Sequence, residues 1–371
     1  MHLFYYLFFL EILIAVAAYT NVTEYVFMPV KQRTVQYLSD HRQEIYLMVA
    51  LGVMLFFHAF RDPLSLVDTP EYYSACGEAR LMSWGDVISK GYVELKTETG
   101  FALLLKLIVD VFRSPQMLFI ITSAFMFFVL YDSIRRYSTI YWFSVLVFMV
   151  DSFAQSLFIL RGFMALFVFL LSFPFILKRQ ILPFLLLSIL AFSIHMTSIV
   201  LIPVYFLYGI KNAKYLALLL VSGLVIVVLG FELILPLIVE NLLSNYTYYL
   251  LAAEEYEGGN WKMPALLSFI LIFRIMVMRE HFFEEGINRL CSIALIFAIA
   301  LYVAGMGFGL INRIALYFSN LTFLILPNTV QYLRSSTLQF VVCLVYILFS
   351  GFFFLNSASD VLWMDYQLIK I

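Results

Sequence analysis

The chain of 371 residues is 63% hydrophobic and 13% charged, with a mean hydropathy of +0.95, whereas an ordinary soluble domain carries about a quarter charged residues. This excludes a soluble globular domain, and a net charge of −1 leaves no electrostatic footprint for nucleic acid. Recurrent apolar runs of near-membrane length select an all-α, polytopic membrane protein over a β-barrel, whose segments would be short and alternating.

In chain order, apolar runs at 3–19, 45–60, 117–134, 139–157, 162–177, 181–194, 196–209, 215–237, 263–278, 289–305, 313–327 and 336–354 predict about twelve spans. They form one integral membrane domain over residues 1–371. Several runs are short enough to require tilt or local thinning of the bilayer. The first lacks a basic leading region, so it reads as a retained span rather than a cleaved signal. The longest polar interval follows the second run, at 61–116. It predicts a helical piece at Glu71–Ser89, with Tyr72, Tyr73, Cys76, Leu81 and Trp84 along a lipid-facing side. Residues 101–112 carry Lys106 and Asp110 and are too few for a crossing, so they predict an interfacial or re-entrant helix. Residues 181–209 fit either one long tilted helix or two arms with His195 at the tip. A second loop, at 238–262, carries an acidic tip at 254–260.

Lys and Arg in short loops set orientation. Lys31, Arg33, Arg42, Arg135, Arg136, Lys178, Arg179, Lys211, Lys214, Arg279, Arg289 and Arg334 collect on one side, read as cytoplasmic. The 61–116 and 238–262 loops are then external, and the two-arm reading of 181–209 preserves the parity. With this orientation Arg61, Asp62, Asp68, Glu98, Arg161, His195 and Arg313 all fall at external ends of different segments.

Charges at a membrane edge are costly unless paired or functional. Arg161 and Arg313 read either as snorkelling arginines or as phosphate ligands, since guanidinium matches phosphate oxygens bidentately; Arg61 is a third candidate. Asp68, in V-D-T-P, reads as a helix cap or as a general base. Glu98, in T-E-T-G-F, reads as a solvated loop acid or a second base. His195 is a packing residue or a contact to acceptor or phosphate, and Asp62 is a turn or ion-pair residue. The three cysteines have no metal-ligand spacing, and no metal site or cofactor is expected. Walker, H-E-x-x-H, G-x-S-x-G and external D-x-D patterns are absent from the sequence. External chemistry has no access to cytosolic nucleotide sugars, so an activated lipid carrier is the natural donor.

F-R-D at 60–62, D-T-P-E-Y at 68–72, E-T-G-F at 98–101, R-G-F-M-A at 161–165, S-I-H-M-T-S at 193–198 and N-R-I-A-L-Y-F at 312–318 occur in this order. Together they resemble the EpsG family of bacterial polysaccharide polymerases, functionally akin to Wzy O-antigen polymerases. Gly162 stands where that family more commonly has glutamine. The resemblance implies a GT-C-like glycosyltransferase architecture with a large first external loop, in the bacterial inner membrane, its active site facing the periplasm or exterior. It implies transfer of a growing glycan from undecaprenyl diphosphate onto an incoming lipid-linked repeat, inverting and without a required metal. On that reading Arg161, Arg313 and Arg61 bind the diphosphate, Asp68 and Glu98 are candidate bases, and His195 orients the acceptor or touches phosphate. A chain-length regulator and a flippase are the expected protein partners. Two alternatives use the same material: a lipid-linked glycan flippase or transporter, and a ligase making a single transfer.

Overall fold

A computed structural model describes residues 2–19, 41–223, 225, 261–306, 309–357 and 367–368. Among the described residues the regular structure is helical, apart from one isolated bridge between Arg61 and Leu368. The helices are α1 His2–Tyr19, α2 His41–Ala59, α3 Thr69–Leu81, α4 Trp84–Glu94, α5 Thr99–Phe112, α6 Gln116–Tyr137, α7 Tyr141–Phe148, α8 Leu160–Leu171 and α9 Phe173–Leu177. They continue as α10 Ile181–Ile194, α11 Ile202–Tyr208, α12 Lys262–Met278, α13 Ile287–Ala304, α14 Gly309–Ser319, α15 Thr322–Val330 and α16 Ser336–Ser357. A π-helical turn, Met149–Phe153, and a last turn, Ala154–Ser156, extend α7.

Among the described residues, three helices are long and apolar enough to cross a membrane: Gln116–Tyr137, Ile287–Ala304 and Ser336–Leu355. Shorter apolar helices include Gln43–Ala59, Leu160–Leu171 and Ile181–Ile194. The second loop lies, except for its last two residues, outside the described residues.

The chain forms two compact units. Unit 1 comprises 1–174, 181–199 and 322–371. Its core is aromatic: Phe119, Phe143, Phe148, Phe153, Phe163 and Phe167 are enclosed, and edge-to-face pairs such as Phe148 with Phe323, at 5.9 Å, join α7 to α15. Pro327 inside α15 cannot donate to the Phe323 carbonyl, which instead accepts from Ser144 Oγ at 2.7 Å. Unit 2 comprises 175–180 and 200–321. There Arg274 is enclosed, with Nε to Ser292 Oγ at 3.1 Å and Nη2 to the Asn288 carbonyl at 2.9 Å. Arg289 binds the Phe283 and Tyr208 carbonyls.

Two sequence expectations are corrected. The run at 313–327 is not one helix: it breaks at Asn320–Leu321 into α14 and α15. Turn signals are weak there, but Asn320 can pair its own amide locally and so tolerates a break. Tyr72 and Cys76 do not share a lipid-facing side with Leu81 and Trp84. Cys76 is buried and Tyr72 turns inward onto Phe101, while Leu81 and Trp84 are exposed.

The interval between α2 and α6 folds as α3, α4 and α5. Ser83 caps α4 by accepting from the Asp86 amide. In α5 Phe101, Ala102, Leu105, Ile108 and Val109 form one buried face. Lys106 on that helix pairs with Asp110 at 2.9 Å, which accounts for the two charges that interrupt the run.

Candidate functional site

The site is built on Glu98, the residue preceding α5. Lys96 adopts a left-handed conformation, φ 50°, and turns the chain out of α4. Glu98 is then extended, and its side chain makes no cap hydrogen bond to its own helix. Instead Oε2 accepts from Arg161 Nη1 at 2.7 Å, and Oε1 accepts from His195 Nδ1 at 2.9 Å and from the Met196 amide at 3.1 Å. A carboxylate only accepts, so in this contact the His195 Nδ1 carries the proton.

Three elements supply these groups. Arg161 is the second residue of α8, and its Nη1 also approaches Thr97 Oγ1 and the Lys96 carbonyl, both at 3.4 Å. His195 stands in the break between α10 and a 3₁₀ stretch, Met196–Leu201, as the two-arm reading expected. Close approach of α5 to α10 needs Gly100: a Cβ there would lie 2.3 Å from Ser193 Oγ and 2.7 Å from the Ser193 carbonyl. Gly100→Ala must therefore push the two helices apart. The expected cost is about 1–3 kcal/mol of stability, with a loosened Glu98–His195 contact, checked by thermal melting in detergent. At Gly162 a Cβ would make only an ordinary contact with His195 Cδ2, at 3.8 Å, its tightest neighbour being Ile159 Cγ2 at 3.0 Å.

Arg161 and His195 remain partly accessible, with side chains 23% and 19% exposed against 7% for Glu98. Burial alone pushes the Glu98 carboxyl up. The His195 hydrogen bond and charge, the Arg161 charge and the Met196 amide outweigh it and hold the carboxyl at about 2. Glu98 is thus a fixed anion and a weak base.

Tyr72, on α3, completes the cluster and was not among the residues singled out for chemistry. Its ring meets Phe101 edge-to-face at 5.7 Å, and Arg161 Cζ lies 5.9 Å from the ring centroid. Its hydroxyl is hydrogen-bonded with Arg161. Burial raises the phenol above its usual range; the Arg161 charge opposes this and the Asp68 charge adds to it. Asp68, one turn earlier, is half-buried and makes no side-chain cap hydrogen bond. The sequence signal for Tyr72 was its (i, i+4) spacing from Asp68.

The structure therefore brings Asp68, Glu98, Arg161 and His195 into one neighbourhood of unit 1. Arg61, in the same unit, is fully enclosed, its Nη1 3.0 Å from His58 Nδ1 and its Cζ 4.6 Å from the Phe119 ring centroid. Asp62 is a turn residue, accepting from the Leu64 amide at 2.9 Å. Arg313 belongs to unit 2, exposed on α14, with Tyr317 one turn on and buried. Among the described residues no group of three His, Cys, Asp or Glu side chains is placed to hold a metal ion.

Helical structure among the described residues, apolar helices and an ionic cluster gathered at helix ends define the class: a helical membrane protein with a partly accessible polar site. A family model for the EpsG family matches residues 44–368, nearly the whole chain, and the chain belongs to that family of Wzy-like polysaccharide polymerases. No curated protein and no solved structure matches it.

Proposed function

We propose that this polysaccharide polymerase extends a glycan carried on undecaprenyl diphosphate, moving it onto the free end of an incoming lipid-linked repeat at the outer face of the bacterial cytoplasmic membrane. The observation that carries the reading is the Glu98–Arg161–His195 unit, which holds a partly exposed guanidinium in fixed orientation. Negative charge grows on the leaving diphosphate as the glycosidic bond breaks, and a preorganised cation there lowers the barrier by about 3–4 kcal/mol. Arg161 takes that role. Glu98 positions Arg161 and His195, and Asp68 removes the acceptor proton as the new bond forms with inversion. His195 contacts the acceptor or a phosphate oxygen. Arg313 is proposed separately as a phosphate ligand on unit 2, and Arg61, enclosed beneath Phe119, as the residue that secures the start of the loop. Candidate partners are a chain-length regulator and a flippase.

The test is the purified protein in lipid nanodiscs with a synthetic lipid-diphosphate repeat. A ladder of products supports the reading; a single addition means a ligase, and no product removes the polymerase chemistry. Because arginine supplies the charge stabilisation, a chelator is expected to leave the ladder within about twofold of the untreated rate. Loss of activity that is restored by a divalent cation would contradict the metal-independent mechanism. One observation favours a second reading, a lipid-linked glycan transporter: a carboxylate, Asp151, lies in an apolar helical segment. Movement of labelled lipid-linked repeat across proteoliposomes without chain growth would support that reading instead.

A further inference from the structure

Unit 1 holds a carboxylate that the transfer chemistry does not use. Asp151 interrupts the apolar run at 139–157 and sits in the π-helical turn Met149–Phe153; π turns are rare and frequent at functional positions. Its Oδ2 accepts from Thr322 Oγ1 at 2.9 Å and from the Tyr346 hydroxyl at 2.7 Å, and Tyr346 is in turn hydrogen-bonded with Ser350. These partners come from α15 and α16, and none of them is a cation. Two more polar atoms on the same segment, Ser152 Oγ and Gln155 Oε1, are buried with no hydrogen-bond partner among the described residues. One residue further on, Ser156 Oγ reaches His58 Nε2 at 3.2 Å, so polar side chains continue along this segment.

Hydroxyl donors orient a carboxylate but leave its charge uncompensated, which an apolar environment penalises heavily. One positive charge balances it. A single carboxylate among neutral oxygens suits a monovalent ion, since divalent ions draw on several carboxylates. We propose that Asp151 binds a monovalent cation, a proton or Na⁺, within unit 1, with the Thr322 and Tyr346 hydroxyl oxygens against its carboxylate. The groups set against it are Thr322 from α15 and Tyr346 from α16, the latter hydrogen-bonded with Ser350.

The test is labelling of the full-length protein in nanodiscs with dicyclohexylcarbodiimide, read by peptide mass spectrometry. The protonated carboxyl adds across one C=N bond: its oxygen goes to carbon and its proton to nitrogen. The O-acylisourea then rearranges to an N-acylurea that retains the whole reagent. Label is expected at Asp151, and none at that position in Asp151→Asn. In Na⁺-free buffer the rate should fall about tenfold per pH unit once the carboxyl ionises. Slowing by Na⁺ but not by choline at fixed pH identifies Na⁺ as a ligand; insensitivity to Na⁺ identifies the proton alone. An unlabelled Asp151 across the pH range, or a rate that follows neither pH nor Na⁺, overturns the proposal.

Discussion

Arg161→Ala is expected to lower the rate of chain growth by about 10²–10³-fold, the range for removing one preorganised donor from a developing anion. The leaving diphosphate would then face Glu98 without its counter-charge, so the variant both loses a cation and uncovers an anion. Removing one partner of a buried pair also costs about 3–5 kcal/mol of stability, so Arg161→Lys is the companion variant. Lysine keeps the charge and supports folding, but it lacks the planar fork that spans Glu98 and a phosphate oxygen together. A folded Arg161→Lys protein with strongly reduced kcat and a near-normal KM for the acceptor fits the account. Wild-type rates in both variants would remove Arg161 from the chemistry. The assay is the ladder of products from a defined lipid-linked repeat.

Glu98→Gln separates positioning from base catalysis. As a positioning residue Glu98 acts through Arg161 and His195, so the glutamine variant should retain measurable chain growth, about 10–100-fold below wild type. Asp68→Asn should then be the more damaging change, because a positioned base contributes about 10²–10⁴-fold. The reverse ranking would make Glu98 the base. The stability effect has a definite sign. The folded carboxyl titrates at about 2 against an ordinary value of 4.5, so folding gains from its ionised form. That gain, about 3 kcal/mol by conversion of the shift, is complete above 4.5 and is lost as pH falls towards 2. Melting curves of wild type and Glu98→Gln should therefore differ by a constant gap near neutrality. The gap should close on acidification through that window, and one that widened in acid would contradict the pairing.

Much of this site was legible because its residues are ionisable and stand at the ends of apolar runs, where hydropathy cannot hide them. Parity of Lys and Arg foretold the break at His195, and the short, charged run at 101–112 foretold a separate helix, which is α5. Pairing was not legible. Nothing in the local pattern around Glu98 reveals that its carboxylate reaches α8 and the end of α10 rather than water, because those contacts join residues 63 and 97 positions away. Tyr72 was placed against lipid for the same reason: an amphipathic pattern reports a side, not what covers it. Asp151 was lost inside a span because the flanking Phe and Val residues dominate any averaged hydropathy. Arg61 was read as a phosphate ligand from its charge and position alone. Its enclosure depends on His58, Ser123 and Phe119, which come together only through the packing of α2 against α6.

The central claim is that Glu98, Arg161 and His195 form one unit that receives the diphosphate of the donor lipid. The most direct measurement is a cryo-EM map of the wild-type protein in nanodiscs with undecaprenyl-diphosphate-linked repeat. Phosphate density within hydrogen-bonding distance of the Arg161 guanidinium, with Glu98 still bridging Arg161 and His195, is the expected result. Diphosphate bound at another place on the protein, with no phosphate in reach of Arg161, would contradict it.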